Sequence, residues 1–262
     1  MTYSRPHMLV GLALMAAGAI WSVQQGCQPN TQQTSEKDAV CESCCQSKCE
    51  SAENQENRRQ KSPPAKAQRQ KSPPANEWKS LFDGKTLAGW KTPQFGGEGK
   101  VYVDGGSIVM DRGGNMTGIA WTGDVVRNNY ELSLEGMKLE GTDFFCTTTF
   151  PVGDDPCTLV VGGWSGGVVG LSNVDGHDAS DNSTSKYMAF KKNQWYRVRI
   201  RVTDAAIEAW IDDEQVLRQL RKGHKFGIRP EVELCRPLGI STWATKGAVR
   251  NIRIRSLDAG GK

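Results

Sequence analysis

The thirteen residues "NVDGHDASDNSTS", Asn173 to Ser185, crowd hard ligands together. Asp175, Asp178, Asp181 and Asn182 place four oxygen-bearing side chains within eight residues, with His177 among them. Oxygen donors at that density suit calcium or another divalent cation. The D-x-D-x-D-G spacing of an EF-hand is missing, and a polar loop closed by Asx turns is the competing reading. With only His177 and His224 beyond the N-terminal third, a histidine-rich zinc site is not expected.

A second candidate is "GWSGG", Gly163 to Gly167, which matches the G-x-S-x-G pattern of a serine nucleophile elbow. That elbow works where a strand turns sharply into a helix and exposes the hydroxyl. Here "VVGLSNV" follows, which reads as a strand, so a glycine-rich bend in a sheet is the expectation for Ser165. No phosphate-cradling glycine motif opens a helix anywhere in the chain. Seven of the eight tryptophans lie beyond residue 77, and indole faces suit both sugar rings and sandwich cores. Trp164, in the glycine-rich stretch, and Trp243, in "ISTWATKG", are the two expected near a ligand.

These residues need a scaffold, and the pattern that supplies it has period two. "YRVRIRV" puts Tyr196, Val198, Ile200 and Val202 on one face, with Arg197, Arg199 and Arg201 on the other. "AIEAWID" repeats it with Ile207, Ala209 and Ile211 inward, across a hairpin turn at "TDAA". "VRNIRIRSL" turns Ile252 and Ile254 inward. Further strands are expected at "KVYV", "SIVM", "GIAWT", "YELSLEGMKLE", "DFFCTTTF", "TLVVGGW", "VVGLSNV", "KYMAF" and "LGISTWA". The best helix candidate, "DDEQVLRQLRKG", is short. The pattern predicts an all-β fold, an antiparallel two-sheet sandwich or jelly roll, and excludes a doubly wound nucleotide fold. A hairpin across "PVGDDP" puts Cys157 opposite Phe150 and Cys146 about 13 Å away along the strand, beyond bridging distance. Buried thiols, or a pairing with Cys235, stay open.

The chain divides into three. Residues 1–26 combine Arg5 and His7 with fourteen apolar or small residues, "MLVGLALMAAGAIW", the pattern of an export signal and shorter than a membrane span. Cys27 after Gly26 suggests a lipoprotein signal with that cysteine acylated, which predicts a membrane partner through a lipid anchor. Simple secretion and an uncleaved anchor are the alternatives, and all three place the body outside the cytoplasm. Residues 27–76 read as an extended tether with a tandem "RQKSPPA" repeat. Within it Cys41, Cys44, Cys45 and Cys49 are expected to form disulfides rather than a metal or redox cluster. Residues 77–258 form the β-sandwich body. The chain carries 33 Lys and Arg against 29 Asp and Glu, and nine of those bases with six of the acids precede residue 76. The body is thus close to neutral, and nucleic acid is not an expected partner.

The stretch "SLFDGKTLAGW", Ser80 to Trp90, resembles the "L-F-[ND]-G-K-[DT]-L-x-G-W" opening of the 3-keto-disaccharide hydrolase domain family. "VDGGSIVM", "NQWYRVRIRVTDAAIEAWIDDEQV" and "VRNIRIRSL" are similar to three later family stretches in the same order, over about residues 77–257. The resemblance implies a concanavalin-like jelly roll of two antiparallel sheets, exported, acting on sugars oxidised to a ketone at carbon 3. It implies carbon-2 proton abstraction, elimination and hydration, which need a base plus a cation or hydrogen-bond donors for the enolate. The family's usual "N-S-G-[IV]" strand and "L-Q-x-H-G" stretch are replaced here by "DFFCTTTFPVGDD" and "PLGISTWATKGAV". Asp143, Asp178 and His177 are therefore the expected acid–base residues. Trp164, Trp243 and Arg236 are expected to bind a carbohydrate substrate, and Asp175, Asp178, Asp181 and Asn182 to hold a divalent cation. The alternative is a non-catalytic carbohydrate-binding sandwich; a serine esterase is third.

Overall fold

The computed structural model describes residues 76–257. The expected signal, Cys27 and the cysteine-containing tether lie outside them. Strands in chain order are β1 (Lys79–Ser80), β2 (Trp90–Lys91), β3 (Val101–Asp104), β4 (Ser107–Met110), β5 (Met116–Trp121), β6 (Tyr130–Glu140), β7 (Thr147–Val152) and β8 (Asp155–Gly163). They continue as β9 (Val168–Ser172), β10 (Lys186–Tyr187), β11 (Trp195–Val202), β12 (Ala206–Ile211), β13 (Glu214–Leu220), β14 (Gly239–Trp243) and β15 (Lys246–Ser256). One 3-10 turn, Pro230–Cys235, precedes β14.

Two antiparallel sheets result. The back sheet runs β13-β12-β11-β6-β15-β4-β3, with β1 paired to β15. The front sheet runs β10-β9-β8-β7-β14-β5-β2. Their inward faces make one core, in which Leu132, Leu134, Val198, Ile200 and Ile207 of the back sheet meet Phe150, Leu159, Leu171 and Ile240 of the front sheet. This is the jelly-roll sandwich that the period-two pattern predicts, because each strand buries one face and must find a second sheet to bury it against.

The expected faces are the observed ones. Tyr196, Val198, Ile200 and Val202 are buried on β11, as are Ile207, Ala209 and Ile211 on β12 and Ile252 and Ile254 on β15. The Thr203 N–H closes the turn between β11 and β12 on the Ala206 carbonyl at 2.9 Å. On the outer face the arginines are occupied: Arg199 and Arg201 pair with Glu131, and Arg199 lies 3.7 Å from the Trp210 ring centre. The helix candidate is corrected: its residues 214–220 form β13. A two-residue turn at Asp212 and Asp213, with Asp212 at φ 53°, folds them straight back onto β12, so the ladder satisfies their backbone before a helix can start.

Phe150 pairs with Cys157 in the register expected, and Cys146, Cys157 and Cys235 are buried free thiols, which excludes the pairing with Cys235. At the start of the body, the Asp83 carboxylate accepts the N–H groups of Lys85 and Thr86 at 2.8 and 2.7 Å. Gly84 takes the left-handed conformation, φ 77°, that the turn requires. The turn lets Leu81, Phe82 and Trp90 enter the core, where the Trp90 indole N–H donates to the Leu81 carbonyl.

Candidate functional site

On the front sheet Phe150, Leu159, Val161, Val169 and Leu171 face the core, so Thr147, Thr158, Val160 and Ser172 face the other way. Those outward positions are nevertheless buried. The segment leading into β14 roofs part of them, with Val232 and Cys235 of the 3-10 turn buried against the sheet. Between roof and sheet a cleft of about 240 Å³ stays open, slightly below the range usual for small-molecule sites. Its floor is Thr147, Thr158, Val160 and Ser172; Asp143, Phe144, Trp164 and Trp243 wall it; Arg229, Glu231 and Val232 overhang it.

Asp143 sits in the connection between β6 and β7. Its own N–H donates to the Thr245 hydroxyl at 3.0 Å, and the Trp243 N–H donates to the Phe144 carbonyl at 3.1 Å, so the end of β14 holds this connection in place. The carboxylate accepts the Phe144 N–H through Oδ1 at 2.8 Å and the Ser165 N–H through Oδ2 at 3.0 Å. A carboxylate has about four lone-pair positions, so both oxygens keep capacity toward the cleft.

The Ser165 contact comes from a tight turn between β8 and β9. Trp164 and Ser165 both have positive φ, 48° and 70°, and the Gly166 N–H closes on the Gly163 carbonyl at 3.1 Å. Positive φ at two successive residues is a conformation that ordinarily selects Asn and Gly. Gly166 cannot be replaced cheaply, since a Cβ there would lie 2.5 Å from the Thr142 carbonyl oxygen. The turn thus lifts Trp164 to 41% exposure at the cleft edge. It is a strand-to-strand turn, so the elbow reading of Ser165 fails for want of a helix.

Arg229 supplies the cationic overhang. Its Nε and Nη2 donate to the two Glu231 oxygens at 3.3 and 2.8 Å, and Nη1 donates to Asp178 Oδ2 at 3.0 Å. Hydrogen bonding to Glu231 raises the Arg229 pKa, and the same contact lowers that of Glu231. For Asp178, burial pushes the pKa up, but hydrogen bonds from Ser180 and the Arg229 charge outweigh it and the net direction is down. Three of five guanidinium N–H groups are used, which leaves two to donate elsewhere.

The sequence candidates separate on this geometry. Asp143, Trp164 and Trp243 meet in the cleft. Asp178 reaches it only through Arg229. His177 lies outside, its Nδ1 3.3 Å from Asp181. Arg236 does not line the cleft; it pairs with Glu233 at 2.8 Å, and Arg229, seven residues earlier, takes the place expected of it. The expected cation ligands do not converge. Asp175 binds His224 Nδ1 and the Lys225 N–H, and Asp178 binds Ser180 and Arg229. The Asn182 oxygen accepts from Thr184 while its amide N–H groups close the loop on three carbonyls. The loop spends its polar atoms on its own shape, so these residues do not fit a shared divalent cation. Among the described residues no three His, Cys, Asp or Glu side chains gather into a metal-holding group. Arg229, Glu231 and the hydroxyl floor escaped the sequence reading; only the alternation of β7 and β8 signalled the floor.

No curated protein matches the chain. Among solved structures, the Crh5 transglycosylase in complex with NAG is similar at TM-score 0.51 and 16% identity, over 71% of this chain and 86% of that one. A putative glycosyl hydrolase from Parabacteroides distasonis ATCC 8503 follows at 0.45 and 16%, over 69% and 94%. The carbohydrate binding module CBM66 from Bacillus subtilis stands at 0.45 and 12%, over 64% and 96%. At these identities the likeness is one of fold. The family model described as the 3-keto-alpha-glucoside-1,2-lyase-like domain matches residues 77–255, nearly the whole described body, and the chain belongs to that family.

Proposed function

We propose that the cleft binds the oxidised ring of a 3-keto-glycoside and that Asp143 removes its carbon-2 proton. The observation that carries this reading is a carboxylate with spare lone pairs set between two indole walls, in a chain of this family. A ketone at carbon 3 acidifies the carbon-2 hydrogen. Asp143 takes that proton, and the C–H electron pair becomes the enolate. The enolate then re-forms the ketone as the bond from carbon 1 to the departing oxygen breaks, and that oxygen leaves with the proton held on Asp143, which restores the carboxylate. Water adds across the resulting double bond, giving net hydrolysis. The two free N–H groups of Arg229 are the donors for the enolate oxygen, set in advance by the contacts to Glu231 and Asp178. No step runs through a cation.

A second reading is a carbohydrate-binding module without turnover. It is favoured by the two backbone N–H groups already on Asp143 and by the lack of histidine among the cleft-lining residues. Incubation with methyl 3-keto-α-glucoside, with and without EDTA, separates the two. Release of 3-ketoglucose that survives chelation supports the enzyme; binding without release supports the module. The body is placed outside the cytoplasm and attached to a membrane through Cys27. Mass spectrometry of the N-terminal peptide from membranes tests the anchor, and an unacylated Cys27 overturns that attachment.

A further inference from the structure

Tyr187 is 76% exposed, the highest value among the exposed large apolar residues of the described chain. A single exposed ring needs no explanation by itself. Its position supplies one. Tyr187 pairs directly with Val168 across β10 and β9. Residues opposite one another in a ladder share a face. Since Val169 and Leu171 point to the core, Val168 and Ser172 point to the cleft side, and Tyr187 does too. The ring therefore stands on the cleft face of the front sheet, on its edge strand, one strand beyond the cleft floor.

The ring is also seated. It lies over Gly167, where a Cβ would fall 2.0 Å from the nearest ring carbon. Gly167 belongs to the same turn that raises Trp164, three residues away. The Met188 N–H donates to the Gly167 carbonyl at 2.8 Å, and Lys186 pairs with Glu214, so the short edge strand is tied on both sides of Tyr187. A ring fixed in advance loses little freedom on contact, and its apolar face suits the C–H face of a sugar or an aryl group.

We infer that Tyr187 is an outer subsite: an aromatic platform for the aglycone of a glycoside whose oxidised ring occupies the cleft. The inference rests on the proposed cleft function. It makes Tyr187 a determinant of aglycone size, separate from the residues that contact the reacting ring.

Calorimetric dissociation constants for two probes test it, measured with the full chain carrying Asp143→Asn so that neither probe is consumed. One probe is methyl 3-keto-α-glucoside; the other carries a 4-nitrophenyl aglycone. Tyr187→Ala is expected to weaken the aryl probe about tenfold, the loss of one good contact, and the methyl probe by less than about twofold. Tyr187→Phe keeps the platform and the affinity. Gly167→Ala, which displaces the ring without removing it, reproduces the loss on the aryl probe. If Trp164→Ala weakens both probes while Tyr187→Ala weakens neither, the platform is refuted and the cleft stands. If Trp164→Ala weakens neither probe, the cleft reading fails and the platform with it.

Discussion

The Asp143 carboxylate and the backbone N–H of Ser165 meet at 3.0 Å, although 22 residues separate them in sequence. This bond joins the β6–β7 connection to the β8–β9 turn, so the candidate base and the aromatic wall at Trp164 are set by one contact. Changing either end is expected to disturb the other.

Replacing Asp143 by Asn keeps one acceptor oxygen for the two backbone N–H groups that Asp143 serves and removes the base. Turnover of a 3-keto-α-glucoside is expected to fall by about 10² to 10⁴ in kcat, the usual range for a lost general base, with affinity held within a few-fold. Steady-state kinetics together with calorimetry check this. An unchanged kcat removes Asp143 from the chemistry.

Ser165 has a left-handed backbone and lends the cleft only its N–H. A non-glycine residue there costs roughly 1–2 kcal/mol, while glycine gives back part through its looser unfolded chain. Ser165→Gly is therefore expected to stabilise the protein by about 0.5–1 kcal/mol and to leave turnover intact. Urea denaturation and a rate measurement check both, and loss of turnover would bring back the nucleophile reading.

Arg229 holds Glu231 through both carboxylate oxygens and Asp178 through a third bond. Arg229→Ala is expected to lower kcat/KM at least tenfold. Its stability cost stays under about 1 kcal/mol, because the side chain is 44% exposed and water screens such pairs. Arg229→Lys does not restore activity, since an ammonium cannot span two carboxylate oxygens as the planar fork does.

Glu131, whose side chain has no exposed surface, accepts from Arg199 at 3.1 Å, Arg201 at 2.8 Å and Arg255 Nε at 2.7 Å. Burial alone would raise its pKa, but hydrogen bonds from Arg201 and Arg255 outweigh this and hold it below the usual glutamate value. A carboxylate whose folded pKa is depressed stabilises the fold above its unfolded pKa. That contribution fades as pH falls through the lower, folded value. Glu131→Gln is expected to destabilise by about 1–3 kcal/mol at pH 7, because it weakens charged hydrogen bonds but leaves arginines that water still reaches. The gap to the parent narrows at pH 3, which urea titrations at the two pH values measure.

The sandwich was legible because strands buried on one face must alternate. β11 and β12 show it, and β6 coincides with the segment "YELSLEGMKLE" from end to end. β13 was harder to read, because Val216 and Leu217 are both buried at a bulge that breaks the alternation. Of the expected site residues, Asp143, Trp164 and Trp243 line one cleft; only Trp164 stands beside a glycine turn that signals how it is presented. Arg229 and Arg236 flank a loop and a 3-10 turn, which carry no periodicity to say which side chain turns inward. The acidic loop was hard to read for a related reason: in sequence, a crowd of oxygens looks the same whether it faces an ion or its own backbone.

The three thiols of the sandwich bear on how the chain meets an oxidant. Burial pushes Cys146 far above the ordinary thiol range, and Cys157 and Cys235 up to about 12. Disulfide exchange proceeds through the thiolate, so the finished fold hides all three from it. The unfolded chain hides none. The sequence has eight cysteines, five of them ahead of the body. In an oxidising compartment, a sandwich that closes around its thiols first keeps an oxidant from coupling them to the others.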